Sequence, residues 1–248
     1  MGINRKNIYR VSKRESLDLA LKGEIETTWK THPSYGHLKL GWHLKVNHKR
    51  VSRVMRKYHL KPPRRKVHRF CTRSTPHQLY FNLIQDWVPT KPHDLWCSDV
   101  SYLKFKGQFW YIATIIDIVT RQVLAVQISK HHNHQLILST INQAMIKTKT
   151  LPLIFHTDQG TEYMAGEVID FLETKGVNIS VSDKASPWQN GYQESFFGRF
   201  KAEFGDFNRF DTIPELIEAI YIYVRYYNQD RIHKSLKMPP AVYALQFS

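Results

Sequence analysis

The chain has 248 residues, 42% of them hydrophobic and 13% aromatic, enough for one large domain plus a small one. It holds no apolar run near the ~20 residues of a membrane span. MGINRKNIYRVSKRESLDLA lacks the apolar core of a secretory signal, position 6 carries no Ser or Thr for myristoylation, and two cysteines, Cys71 and Cys97, form no disulfide framework. A reducing compartment is therefore expected, with no membrane partner. The net charge of +15 is unevenly spread: residues 1–75 hold 20 Lys+Arg against 4 Asp+Glu, and residues 76–248 hold 16 against 17. A basic third joined to a near-neutral body attracts polyanions, nucleic acid first among them.

The first expected element is a helix over SKRESLDLALKGEIETTWK, with Leu17, Leu21 and Ile25 at i, i+4 and i+8. After THPSYGHLKLGWHLK comes a second helical stretch. Asn47 caps it, Val51, Val54 and Met55 form its apolar stripe, and Lys49, Arg50, Arg53, Arg56 and Lys57 decorate the rest. Pro62-Pro63 stops it. Two short helices, the second basic, make a helix-turn-helix pattern whose second helix can enter a major groove. A solvated basic hairpin with no groove contact is the competing reading. Residues 1–65 form this basic helical region, and 66–92, rich in Pro and basic residues, read as a linker.

From residue 93 to 248 the pattern changes. Three strand candidates follow one another, LWCSDVSYLKF, FWYIATIIDIV and VLAVQIS, with turns at Gly107 and Thr120-Arg121-Gln122. Then come a helix over 133–147, the strand LPLIFH, a helix over 165–175, the strand VNISVS and a helix over 188–204. That order is the one of the ribonuclease-H-like fold, an α/β architecture with a mixed five-stranded sheet and flanking helices, here preceded by a small all-α helix-turn-helix domain. A final helix carries Ile217, Ile220, Tyr221 and Val224 at helical spacing, a stripe more typical of core than of base stacking.

Three acids stand out on this frame. Asp99 lies on the first strand, Asp158 ends the fourth in LIFHTDQGTEY, and Glu194 enters from the helix in WQNGYQESFFGRFKAE. Two hard divalent cations about 3.5–4 Å apart need shared carboxylate oxygens of this kind to act on a phosphodiester. Seven residues beyond Glu194, Lys201 returns to nearly the same helix face. Asn190 stands one turn before Glu194, placed to bond phosphate or to cap the helix. Asp117 is read as a structural partner of Arg121. His156 and Gln159 flank Asp158, and Gly160 permits a sharp exit from the strand. The run Lys130-His131-His132-Asn133-His134 reads as a solvated connection.

The Asp-Asp-Glu set, the HTDQG turn and SPWQNGYQESFFGRFKAE resemble the catalytic core of DDE transposases and retroviral-type integrases. More narrowly, residues from about 30 to the end resemble the second-frame (OrfB-type) transposase of the IS-three family of insertion sequences. YGHLKLGWHLKVNHKRVSRVMRKYHL resembles the family's helix-turn-helix, with His37-Leu38-Lys39 where a Tyr-Arg-Arg stretch is usual, and Gln189-Asn190-Gly191 stands where relatives often read Asp-Asn-Ala. The resemblance implies a bacterial, cytoplasmic, nucleoid-associated DNA transposase that uses two Mg²⁺ ions, replaceable by Mn²⁺, held by Asp99, Asp158 and Glu194. It implies cleavage and strand transfer at the ends of an insertion sequence, on element-end and target DNA. It also implies a homo-oligomer on paired ends and an upstream-frame fusion partner. Two alternatives stay open: a non-catalytic transposase-derived DNA-binding regulator, and a nuclease of the same fold without strand transfer.

Overall fold

The computed structural model describes residues 13–62, 80–85, 87–182 and 191–247, which fall in two compact units, Met1–Arg65 and Lys66–Ser248. In the first unit three helices pack together: α1 (Lys13–Thr31), α2 (His37–His43) and α3 (His48–Lys57). The helix expected over 12–30 is present, but its buried stripe differs from the one read in sequence. Leu17 is 56% exposed, and the inward positions are Asp18, Leu21, Ile25 and Thr28. A carboxylate enters the stripe because it has partners there: Arg53 of α3 donates to both Asp18 oxygens, at 2.7 and 2.6 Å. The cap of α3 forms as its sequence requires. The Asn47 side chain accepts from Lys49 N at 2.9 Å, and Val51 and Val54 are fully buried.

In the second unit, β1 (Leu95–Phe105) and β2 (Gln108–Asp117) form an antiparallel hairpin. Its two-residue loop, Lys106-Gly107, has positive φ at both positions, the conformation that matches the twist of the flanking strands and favours glycine. β3 (Val123–Ser129) continues the meander antiparallel to β2. α4 (His134–Thr148) then crosses to β4 (Ile154–Thr157), parallel to β1, and α5 (Gly166–Thr174) crosses to β5 (Asn178–Val181), parallel to β4. The sheet order is β3-β2-β1-β4-β5. This is the ribonuclease-H-like mixed sheet with flanking helices.

Side chains alternate between the two faces of β1 and sort into two cores. Leu95, Cys97, Leu103 and Phe105 face α6 (Gly191–Phe204) and α7 (Ile213–Gln229), which contribute Phe196, Phe200, Leu216 and Ile220. Trp96 belongs to the opposite core, with Leu136 and Ile141 of α4 and Val168 and Leu172 of α5. The aromatic row of α6 is locked at its far end by a buried ion pair. Arg231 donates to both oxygens of Glu203 at 2.7–3.0 Å, and Tyr223 Oη adds a bond at 2.9 Å. Glu203 and Tyr223 hold the Arg231 guanidinium protonated, above its usual range, against the opposing effect of burial. Part of the stretch read as linker lies along this core. Tyr80 Oη donates to Glu173 at 2.8 Å, and Phe81 O accepts from Val181 N of the edge strand β5. A short helix, α8 (Pro240–Ala244), follows α7. Among the described residues no helix is long and apolar enough to cross a membrane.

Candidate active site

The register of the central strands brings two of the three acids together. β1 and β4 run parallel with Cys97 opposite His156, so Asp99 and Asp158 each stand two residues further along the chain, Asp99 on β1 and Asp158 just beyond β4. Asp99 is half-buried, and its carboxylate accepts from Val100 N at 2.9 Å. Burial pushes its acid form well up, and the negative charges of Asp158, Glu162 and Glu194 push the same way. Asp158 sits just past the end of β4, reaches solvent and accepts from Gly160 N at 3.0 Å. Its proton affinity is also raised, first by desolvation and then by Glu162, against the opposing pull of Gly160 N and His132. Glu194 lies in the first turn of α6, exposed, with its charge felt at Asp99. The three acids therefore share one electrostatic field. Among the described residues no group of three His, Cys, Asp or Glu side chains is assembled as a ready metal cage.

Sequence reasoning missed a fourth carboxylate. Glu162 is buried, and its Oε1 meets His132 Nε2 at 2.7 Å. His132 in turn stacks on Tyr111, with ring centroids 4.8 Å apart. The acid was visible four residues after Asp158 in TDQGTE; its partner was hidden in the His-rich run read as a solvated connection. Glu162 also corrects the reading of Gly160. That glycine has no positive φ. A Cβ there would stand 2.6 Å from Glu162 Oε1, so the glycine makes room for a neighbouring acid rather than for a turn.

The flanking residues have structural partners. His156 is buried between Ser180 and Ser182, 2.9 Å from each hydroxyl, and burial pushes it down to about 4, so it is neutral. Gln159 Nε2 donates to Ser182 O at 3.2 Å. Asp117 is structural as expected, with different partners: it accepts from His93 N at 2.6 Å and from the Thr120 N–H and hydroxyl at 2.7 and 2.9 Å. Arg121 meets Asp117 through its backbone N–H, while its guanidinium stacks over Tyr192 at 4.0 Å. Lys201 Nζ donates to Ser101 Oγ at 2.8 Å, two residues beyond Asp99 on the same strand face. Asn190 lies outside the described residues.

Two integrase core domain models match the chain, at residues 89–187 and 175–240. A transposase-like protein of Haemophilus influenzae is 30% identical over 210 residues, covering 84% of this chain and 97% of that protein. The chain belongs to the IS-three-like transposase family. Other relatives agree: a transposase for insertion sequence element IS904 of Lactococcus lactis is 33% identical over 158 residues, 62% of each chain. A 31 kDa protein of insertion element IS600 from Shigella sonnei is 28% identical over 98% of this chain and 95% of its own. In the cryo-EM structure of the simian T-cell lymphotropic virus intasome in complex with PP2A regulatory subunit B56 gamma, one chain superposes with a TM-score of 0.57. It is 16% identical, covering 88% of this chain and 73% of that one, a likeness of fold.

In this transposase-family chain the five cations read from α3 divide by their contacts. Arg53 is held by Asp18, and Lys57 pairs with Glu15 and approaches Asp18 at 3.4 Å. Arg50 Nη2 donates to Leu17 O at 3.3 Å. Lys49 and Arg56 are exposed. The total charge of the helix therefore overstates what it can offer to a polyanion.

Proposed function

We propose that the chain is a DNA transposase: water cleaves a phosphodiester at the end of an insertion sequence, and the freed 3′-hydroxyl attacks a phosphodiester of target DNA, joining to its phosphorus as the target's own 3′-hydroxyl leaves. The observation that carries this reading is the parallel register that sets Asp99 beside Asp158, where burial first and then the charges of Asp158, Glu162 and Glu194 disfavour the ionised Asp99. A protein gains nothing in stability from such repulsion, so the cluster is better suited to cations than to the empty fold. The donor set is all oxygen, which fits hard divalent ions such as Mg²⁺ and Mn²⁺. Asp99, Asp158 and Glu194 would hold two of them, and when bound they supply Lewis-acid stabilisation of charge at the phosphodiester.

The chain's own residues do the rest. Lys201, anchored beside Asp99 through Ser101, binds a phosphate of the reacting strand and sets its approach. Asn190, four positions before Glu194 in the chain, is assigned to the DNA-binding set on its sequence position alone. Residues 1–65 supply duplex binding through α3, with Lys49 and Arg56 as the principal phosphate contacts, and Arg50, Arg53 and Lys57 in support. The stretch 66–92 joins this part to a core of 93–248. The protein works as a homo-oligomer on paired ends, with an upstream-frame fusion partner. The test is incubation of the purified chain with labelled terminal-repeat DNA and a target duplex, with and without Mg²⁺. Metal-dependent joined product, lost in Asp99→Asn, is the expected result. Nicking without joining would make the protein a nuclease, and binding without either would make it a regulator.

A further inference from the structure

We infer that Gln193 is the positioning residue that fixes Glu194 relative to Asp99, an inference that rests on the metal-dependent reading above. Gln193 is 0% exposed, one residue before Glu194 in the first turn of α6. Its Nε2 donates to Cys97 O at 2.5 Å and to Thr114 O at 3.3 Å, and its Oε1 accepts from Thr114 Oγ1 at 2.8 Å. Those partners are specific to the site. Cys97 lies two residues before Asp99 on β1, and Thr114 is the direct cross-strand partner of Asp99 on β2. One buried amide thus spans both strands of the pair on which Asp99 stands. Its orientation is determined as well. Exchanging N and O would set Oε1 against two carbonyl oxygens, acceptor against acceptor.

Between Gln193 and the Glu203–Arg231 pair at the far end, the buried residues of α6 are Phe196, Phe197, Gly198 and Phe200, so the packing next to Glu194 is otherwise apolar. Apolar packing is non-directional and tolerates small slides and rotations. Hydrogen bonds to two strands do not. Thr114 O also accepts from Ser98 Oγ at 3.1 Å, and Ser98 meets Tyr163 Oη at 2.8 Å, in the segment that follows Asp158. β1 and α6 therefore meet at the Thr114 carbonyl, the segment after Asp158 is linked to it through the Ser98 hydroxyl, and Gln193 is the arm that reaches it from α6. Groups that orient metal-binding carboxylates from behind commonly matter about 10- to 100-fold in metal affinity or activity.

The experiment compares the full chain with Gln193→Met, Asp99→Asn and Asn228→Leu. Asn228 is another buried amide bonded to a strand, at Val123 N and O, 2.9 Å each, and serves as the control for loss of any such bond. Two readouts are taken on folded protein: Mn²⁺ affinity by electron paramagnetic resonance titration without DNA, and the ratio of Mn²⁺- to Mg²⁺-supported cleavage. Gln193→Met is expected to weaken Mn²⁺ binding by about 10-fold or more and to raise the Mn²⁺/Mg²⁺ ratio, with DNA affinity unchanged. Asn228→Leu is expected to match wild type in both. If Gln193→Met matches wild type while Asp99→Asn loses metal, the inference is overturned and the metal-dependent reading stands. If wild type and Asp99→Asn bind metal alike, both are overturned. Should Gln193→Met fail to fold, Thr114→Val removes one of the three bonds and must show the same shifts at smaller size; wild-type behaviour there overturns the inference.

Discussion

Cys97 of β1 stands opposite His156 of β4 in parallel register, and the same two-residue step from each leads to a carboxylate, Asp99 or Asp158. The positions of both acids thus follow from strand pairing, and among the described residues their own carboxylate bonds go only to nearby backbone N–H groups, Val100 N and Gly160 N. Near-isosteric replacement should leave the strands as they are. Asp99→Asn, Asp158→Asn and Glu194→Gln are each expected to abolish Mg²⁺-dependent cleavage and joining while preserving the circular dichroism spectrum and DNA affinity. Where pH keeps Asp99 ionised, Asp99→Asn should also raise the metal-free melting temperature, because burial and the neighbouring charges disfavour that ionised form. Near-normal Mg²⁺-dependent activity in any one variant would remove that residue from the metal set.

Lys201 is tied to Ser101 and lies over the Tyr102 ring at 5.2 Å. An ammonium held there can meet one phosphate. Lys201→Ala should lower the salt slope of DNA binding by about 0.9, the value for one phosphate contact. Metal affinity should not change. An unaltered slope, measured by fluorescence anisotropy across a salt series, would return Lys201 to ordinary surface duty.

Asp18 is held at about 2, below the usual carboxylate range, chiefly by its bonds to Arg53 and further by Lys57. The sign follows from a depressed folded-state value: the contribution is complete above about 4 and is lost as pH falls through about 2. Asp18→Asn should therefore melt below wild type at pH 7, with the gap closing as pH approaches 2. Arg53→Ala should reproduce the neutral-pH loss of stability, whereas Arg56→Ala should weaken DNA binding with little change in melting. Equal melting of wild type and Asp18→Asn at pH 7 would show that the pair carries no net stability.

The Glu203–Arg231 pair is buried on both sides, with side chains 1% and 3% exposed. Removing one partner leaves an uncompensated charge. Arg231→Met is expected to cost about 3–5 kcal/mol in urea unfolding. The double variant Glu203→Met/Arg231→Met should recover much of that loss, since apolar side chains replace both charges. A double variant no more stable than the single one would mean that the pair's geometry, and not its charge balance, governs the loss.

The elements that were legible in the sequence are those with strong periodic signals. The strand over LWCSDVSYLKF coincides with β1 because its inward and outward residues alternate along both cores. Asn47 announced the start of α3 because an Asn before a basic amphipathic run has one evident use. β4 was read as 151–156 and is Ile154–Thr157, since Leu151 and Pro152 extend the apolar run without joining the ladder. Leu17 looked equivalent to Leu21 because periodicity cannot tell which of two adjacent residues faces inward once a charged residue has a buried partner 35 positions away. The long-range polar contacts were invisible for the same reason. Gln193 reads as one more polar residue beside Glu194, and nothing local links His132 to Glu162, 30 residues apart.

Gly160 and Glu162 constrain one another's replacement. A methyl group at 160 would displace the Glu162 carboxylate, which His132 holds in place, and would open that pair beside Asp158. Alanine at 160 is accommodated by moving the Glu162 carboxylate off His132, and a shorter side chain at 162 removes that conflict. The two positions are therefore expected to tolerate change together more readily than position 160 does alone.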